Sequence, residues 1–107
     1  MSKIVTFNRT GGPEVLEIID VQVPAPAAGE VQIRVHAIGL NRAEIMYRNG
    51  QYVIEPEFPA RLGYEAAGVV EAVGENSENF AKGDLVSVIP SFMFNEYAMY
   101  GELVNAP

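Results

Sequence analysis

The chain has 107 residues, of which 49% are hydrophobic and 20% charged, as expected for one globular domain and not for a disordered segment. Its formal charge of −7 argues against non-specific binding to nucleic acid or to anionic membranes, which requires cationic side chains. The absence of cysteine excludes disulfides, thiolate nucleophiles and cysteine-based zinc sites. Because no signal peptide or bilayer-spanning apolar run is visible, we expect a cytoplasmic protein with no nucleic-acid or membrane partner.

The first part of the chain reads as three short strands. Strands are predicted at Lys3–Phe7 and Val15–Val23, on either side of a turn-rich segment that contains Gly11, Gly12 and Pro13. The proline-rich stretch Pro24–Gly29 then reads as a short exposed connection, because proline cannot donate to a strand ladder. In Val31–Ala37 apolar and polar residues alternate, which predicts a strand with one buried and one solvated face.

One short helix is predicted over Arg42–Asn49. Asn41 is a favourable N-cap, and Glu44 stands three residues later, at the spacing of a capping box. Gly50 follows the last helical residue, where a left-handed conformation commonly ends a helix. Two turns are too few to be stable alone, so the helix is expected to dock on the sheet.

The second half continues with a long loop and further strands. Residues 51–62 form a connection of a length that is often functional. Strands are predicted at Val69–Val73, Leu85–Ile89 and Asn95–Tyr100. Six or seven short strands with one helix predict a mainly β domain, either an antiparallel barrel or a sandwich.

Few residues point to chemistry on their own. His36, the only histidine, lies on the polar face of its strand and is interpreted as a solvated surface residue. Glu65 lies among small and apolar residues and needs a partner if buried, so it is either in a structural salt bridge or in a site. Its candidate partners are Arg42, Arg48 and Arg61.

Among the glycines and tyrosines, only Tyr52 stands out as a possible ligand-binding group. Gly63, Gly68 and Gly74 do not form a dinucleotide-binding loop, and we interpret them as bulges and points of close backbone approach. Most tyrosines pack with the hydroxyl at a wet edge, but Tyr52 lies in the long loop and is a candidate site residue.

Four motifs in order resemble the medium-chain dehydrogenase/reductase superfamily, and within it the zinc-free quinone oxidoreductases of the zeta-crystallin type. They are Gly39–Glu44, Arg48–Tyr52, Gly63–Val70 with Gly74, and Phe80–Val86, preceded by a fitting opening at Gly12–Leu16. The resemblance implies a GroES-like, partly open β barrel that is the N-terminal catalytic domain of a longer enzyme. It further implies that the parent continues into a Rossmann domain, which binds NADP(H) or NAD(H) and is absent from this chain.

The resemblance also implies an enzyme without zinc. In the zinc branch a cysteine ligand stands at the position of Asn41 and a histidine ligand at that of Tyr64, while a hydroxyl that relays the proton stands at Ala43 and a relay histidine at Met46. A carbonyl would then be polarised by hydrogen-bond donors and not by a metal.

Within the zinc-free branch, the resemblance assigns roles to several residues. Asn41 matches a residue that contacts the nicotinamide and the substrate, and Tyr52 matches a tyrosine in the same cleft, so both are candidate catalytic residues. Tyr47 and Tyr64 are candidate cleft residues. Glu44, Arg48 and Glu65 are expected to give structural support through capping and ion pairing.

The leading hypothesis is therefore part of an oxidoreductase that transfers hydride to an electron-poor C=C bond or a quinone, both small-molecule substrates. The alternative is a non-catalytic GroES-like barrel that serves binding or assembly. The parent is compatible with a homodimer. The 107-residue chain alone is expected to be inactive, to bind no cofactor or zinc, and to self-associate through an uncovered sheet edge and apolar surface.

Overall fold

A computed structural model describes all 107 residues as two antiparallel sheets with one α-helix. The strands are β1 (Ser2–Phe7), β2 (Leu16–Val21), β3 (Val31–Gly39), β4 (Ala60–Arg61), β5 (Glu65–Val73), β6 (Leu85–Val88) and β7 (Leu103–Ala106), with α1 (Arg42–Asn49) between β3 and β4 and a 3₁₀ turn at Pro13–Val15. The strand order is β2-β1-β4 in one sheet and β6-β5-β3-β7 in the other. The mainly β architecture and the single short helix are therefore confirmed.

The alternation predicted for β3 holds only in part, because the strand carries two irregularities in its pairing with β5. Val31 and Ile33 are buried while Arg34 and His36 are exposed, as expected. The register shifts between Gln32 and Ile33 and again between Val35 and Ala37. Gln32 is buried and satisfied by donating its side-chain N–H to the carbonyl of Pro24 at 3.2 Å, whereas Ala37, expected inside, is exposed.

The strand predicted at Asn95–Tyr100 is wrong, and the last strand is β7, a few residues later. The backbone N–H groups of Glu96 and Tyr97 both donate to the carbonyl of Met93, at 2.9 and 3.2 Å, so this segment begins as a turn. Because β7 pairs with β3 over Val31–Arg34, the ladder has no room for the earlier segment. The turn instead carries aromatic residues inward.

The core lies between the sheets and beneath α1. Its least exposed large side chains come from β1, β3, β5, β7, α1 and the segment before β7, and they include Phe7, Tyr47, Ile33 and Met99. The interpretation of the glycines is borne out at Gly74, where a Cβ atom would overlap the carbonyl oxygen of Ala27. The close approach holds the loop before β3 against the end of β5.

Candidate functional site

The helix α1 begins and ends where its capping residues place it. Asn41 has extended backbone angles (φ −130°, ψ 151°), and its backbone N–H donates to the side chain of Glu44, one of the two bonds of a capping box. Gly50 adopts the left-handed conformation (φ 78°, ψ 26°) and ends the helix. Asn41 is therefore fixed at the junction between β3 and the helix.

Glu44 is a buried carboxylate that ties this junction to the segment before β7. Its side chain is 4% exposed. Its Oε1 atom accepts the backbone N–H of Asn41 at 2.6 Å and the hydroxyl of Tyr100 at 2.7 Å. Burial, together with this hydrogen bond to Glu44, raises the pKa of the Tyr100 phenol well above its usual value of 10. The expected structural role of Glu44 is thus accompanied by a partner that the sequence did not indicate.

Glu65 is paired with the side chain of Asn41. The Asn41 amide nitrogen donates to Glu65 Oε2 at 2.8 Å. None of the three arginines proposed as partners bonds to Glu65, and the ion pairs of the structure, Lys3–Asp20 and Arg34–Glu71, do not include it. An amide nitrogen has two N–H groups, so this bond orients the Asn41 side chain and leaves its second N–H able to donate.

Tyr52 and Tyr64 form a hydrogen-bonded phenol pair with 2.9 Å between their oxygens. The Tyr64 hydroxyl also donates to Met93 Sδ at 3.3 Å. Burial is the main cause that raises the pKa of Tyr64 far above 10, and the bond to Tyr52 adds to it. Tyr64 therefore stays protonated at every physiological pH.

Aromatic rings hold this pair in place. The ring of Tyr64 stacks on Phe94 with centroids 3.9 Å apart and an interplanar angle of 14°. The ring centroid of Phe94 also lies 4.7 Å from that of Tyr47 and 5.6 Å from that of Tyr52. Tyr47 itself is buried, and its burial raises the pKa of its phenol. Tyr47 therefore packs against Phe94 and Tyr52, and its role as a cleft residue stays a prediction.

Two consecutive residues connect the candidate site residues. Tyr64 contacts Tyr52, and Glu65 contacts Asn41, so the start of β5 brings the loop and the helix N-terminus together. The result is one oriented amide and one oriented phenol. Each group is able to donate a hydrogen bond, and donors of this kind stabilise negative charge that develops on a carbonyl oxygen.

Arg48 has a structural contact of a different kind from the expected ion pair. Its Nε–H donates to the carbonyl of Gly11 at 3.0 Å, and the backbone N–H of Gly11 donates to the carbonyl of Arg48 at 3.0 Å. The contact docks the end of α1 on the turn after β1. His36, in contrast, is exposed and outside the site, as predicted.

A cavity of about 640 Å³ lies next to the aromatic rings that hold the phenol pair, because Tyr47 and Phe94 are part of its lining. It is lined by residues that include Glu30, Arg61, Tyr97 and Asn105, and not by Asn41, Tyr52 or Tyr64. Sequence reasoning missed Met93 and Phe94, which come just before the segment Asn95–Tyr100 that was predicted as a strand, and Tyr100, which is its last residue. The many aromatic residues between Phe92 and Tyr100 were the sequence signal that this segment packs against the phenol pair.

Neither a metal-binding cluster nor a membrane-spanning helix is found. No group of three or more His, Asp or Glu side chains is arranged to hold a metal ion. No helix is both long and apolar enough to cross a membrane.

Comparison with known proteins assigns the fold. The family model described as the alcohol dehydrogenase GroES-like domain matches residues 27–103. The chain belongs to this family. Its relatives and structural neighbours further show it to be a quinone oxidoreductase-like domain of the medium-chain dehydrogenase/reductase superfamily.

Curated relatives are several times longer than this chain. The human quinone oxidoreductase is 46% identical over 102 residues, which cover 92% of this chain and 31% of that protein. The quinone oxidoreductase of Pseudomonas aeruginosa is 47% identical over 87 residues, which cover 81% of this chain and 26% of that protein. The chain therefore spans about a third or less of the relatives that it matches.

Solved structures agree with this assignment. The Pseudomonas syringae quinone oxidoreductase superposes on all of this chain with a TM-score of 0.83 and 40% identity, and the match covers 31% of that chain. The Escherichia coli quinone oxidoreductase, solved in complex with NADPH, superposes on 96% of this chain with a TM-score of 0.81 and 33% identity, and 30% of that chain is covered. The GroES-like fold implied by the sequence motifs is confirmed.

Proposed function

We propose that this domain supplies the donor side of the active site of a zinc-independent, NADPH-dependent oxidoreductase that reduces quinones or other electron-poor C=C bonds. The observation that carries the proposal is the pairing of Tyr64 with Tyr52 and of Glu65 with Asn41 by two consecutive residues. Relatives named quinone oxidoreductases, one of them solved with NADPH, support the reaction class. A barrel that served assembly alone would have no use for an amide and a phenol that are each held by a hydrogen bond.

The residues of this chain would act as donors and as a proton source. When bound, the nicotinamide cofactor would supply the hydride. The free N–H of Asn41 fits a carbonyl acceptor, which the substrate or the carboxamide of the cofactor can provide. The hydroxyl of Tyr52 fits the role of proton donor to the substrate oxygen on which negative charge develops.

Zinc independence follows from the donor atoms at the positions that would bind the metal. Asn41 offers an amide that already donates to Glu65, and Tyr64 offers a buried phenol of raised pKa that resists the deprotonation a metal ligand needs. Neither is a favoured zinc ligand. The oxyanion would therefore be stabilised by hydrogen bonds.

The test is a pair of substitutions in the full-length enzyme, Asn41→Ala and Tyr52→Phe. Loss of one preorganised donor is expected to lower kcat/KM about 10²-fold or more. As a helix cap alone, Asn41→Ala would cost roughly 0.5–2 kcal/mol of stability and leave turnover intact. Tyr52→Phe keeps the ring, so the melting temperature should hardly change while NADPH-dependent quinone reduction falls.

Wild-type turnover in both variants would show that Asn41 and Tyr52 serve only capping and packing, and it would overturn the proposed site. Arg48→Lys is a matched control, because it perturbs the same helix at a contact with Gly11 outside the site. Elemental analysis of the same wild-type preparation is expected to find no stoichiometric zinc.

A further inference from the structure

The hydrogen bond between Tyr52 and Tyr64 can run in either direction, and Met93 offers the Tyr64 hydroxyl a second acceptor. The Tyr64 hydroxyl lies 2.9 Å from the Tyr52 oxygen and 3.3 Å from Met93 Sδ. A phenol has one proton, so Tyr64 donates to one of these two atoms at a time. Its ring is stacked on Phe94 and 7% exposed, so the hydroxyl proton rotates while the ring stays fixed.

Each direction gives Tyr52 a different role. When Tyr64 donates to Met93, its oxygen accepts the Tyr52 proton, and Tyr52 then has only lone pairs to offer a ligand. When Tyr64 donates to Tyr52, the Tyr52 proton is free to point outward at a carbonyl oxygen. The second arrangement is the one that a proton donor requires.

We infer that Tyr64 is a positioning residue that turns the Tyr52 hydroxyl toward the substrate, and that the Met93 thioether is the weak acceptor that holds the Tyr64 proton when no substrate is bound. This inference rests on the proposed function. A thioether sulfur is a weak acceptor, so leaving it for the Tyr52 oxygen costs little. A substrate oxygen that accepts the Tyr52 proton is therefore sufficient to reverse the hydrogen bond of the pair, so that Tyr64 donates to Tyr52.

The same geometry serves the proton transfer itself. The cofactor of the parent, when bound, would supply the hydride with both of its electrons to the substrate carbon, and the substrate oxygen would gain the proton of Tyr52 as the O–H bond of Tyr52 breaks. Tyr64 keeps its own proton and directs it at the Tyr52 oxygen, where negative charge appears. Because burial favours the neutral form of Tyr64, it remains a donor through this step. Tyr52, which is half-buried, regains a proton from water after the product leaves.

The experiment is a double-mutant cycle in the full-length enzyme with Tyr52→Phe, Tyr64→Phe and both together. Tyr64→Phe keeps the ring on Phe94 and is expected to lower kcat about tenfold to hundredfold, with the KM for NADPH and the melting temperature nearly unchanged. Because Tyr64 acts through Tyr52, the double variant should be no slower than Tyr52→Phe alone. Tyr97→Phe is the matched control, since its phenol bonds to Glu30 and not to the pair.

A spectroscopic readout makes the test independent of turnover. With fluorotyrosine incorporated, the ¹⁹F resonance of Tyr52 should move both in Tyr64→Phe and in Met93→Leu, but not in Tyr97→Phe. Met93→Leu should keep or raise kcat, because Tyr64 then has only Tyr52 as its acceptor.

The outcomes separate the two proposals. Wild-type kcat in Tyr52→Phe overturns the proposed function. A slow Tyr52→Phe beside a wild-type Tyr64→Phe, or losses in kcat that multiply in the double variant, overturns the positioning role and leaves the proposed function standing. An unmoved Tyr52 resonance in Met93→Leu overturns the role given to the thioether.

Discussion

At the scale of single residues, the site is held by side chains whose partners lie far away in the sequence. Asn41 bonds to Glu65, 24 residues later, and Tyr64 bonds to Met93, 29 residues later. The half-buried carboxylate of Glu65 is stable because it accepts a hydrogen bond from Asn41, whereas burying a carboxylate without a partner costs free energy. Glu65 thereby orients the Asn41 amide and needs no arginine.

Two substitutions of Glu65 are expected to show how much its hydrogen bond to Asn41 stabilises the domain. Glu65→Leu removes the acceptor of the Asn41 amide and should destabilise the domain by about 1.5–3 kcal/mol, the range for hydrogen bonds to charged groups. Glu65→Gln keeps an acceptor oxygen and should lose clearly less. Urea denaturation of both variants measures the difference, and equal losses would show that the bond to Asn41 contributes nothing to stability.

At the scale of elements, α1 is a two-turn helix whose ends are both specified locally. Its N-terminus is closed by the capping box of Asn41 and Glu44, and its C-terminus by Gly50. Its inner face buries Glu44 and Tyr47 and meets the aromatic cluster. Both caps are needed because so short a helix is unstable by itself.

Gly50→Ala tests the C-terminal cap. Alanine in the left-handed conformation costs roughly 1–2 kcal/mol, and its methyl group would also lie 3.2 Å from Thr10 Cγ2. Gly29→Ala is a matched control, because Gly29 has φ +79° and no atom within 4 Å of the added Cβ. Thermal unfolding should show a loss in both variants and a larger one in Gly50→Ala. A smaller loss there than in Gly29→Ala would contradict the contact with Thr10.

At the scale of the whole molecule, buried phenols make the free energy of unfolding depend on pH in the alkaline range. The pKa values of Tyr64 and Tyr100 are raised above 10 in the folded chain, mainly by burial. A raised pKa means that the folded state keeps its protons longer than the unfolded state. The stabilisation is complete below the unfolded pKa of about 10 and is lost as the pH rises from there.

The free energy of unfolding, measured by urea denaturation between about pH 8 and pH 11, should therefore be constant and then fall above about pH 10. Tyr100→Phe should fall less steeply, although it starts lower because Glu44 loses a donor. A wild-type curve that stays flat through the alkaline range would contradict the burial of these phenols.

The domain is also expected to bind NADPH poorly without the rest of the enzyme. A dinucleotide pyrophosphate is held at the N-terminus of a helix, where backbone N–H groups and the helix dipole favour an anion. In α1 that position faces Glu44 and Glu65, which repel phosphate and already accept the nearby donors. Calorimetry on the 107-residue chain should detect no saturable binding at micromolar NADPH, and a micromolar affinity would contradict this.

The amino-acid sequence by itself determined the features that depend on neighbouring residues. The limits of α1, from the Asn41 cap to the left-handed Gly50, were predicted correctly because capping acts over one turn. Most strands and the family followed in the same way, from hydrophobic patterns and from ordered motifs.

Only the tertiary structure decided which side chains meet. The partner of Glu65, the phenol pair and the contact of Tyr64 with Met93 depend on how β5 lies beside the loop and the final turn, and no local pattern encodes that placement. The last strand was misplaced for the same reason, because two apolar segments near the end could each form a strand and pairing with β3 selected Leu103–Ala106. Strand pairing is a competition between distant segments, so only the folded chain reveals its outcome.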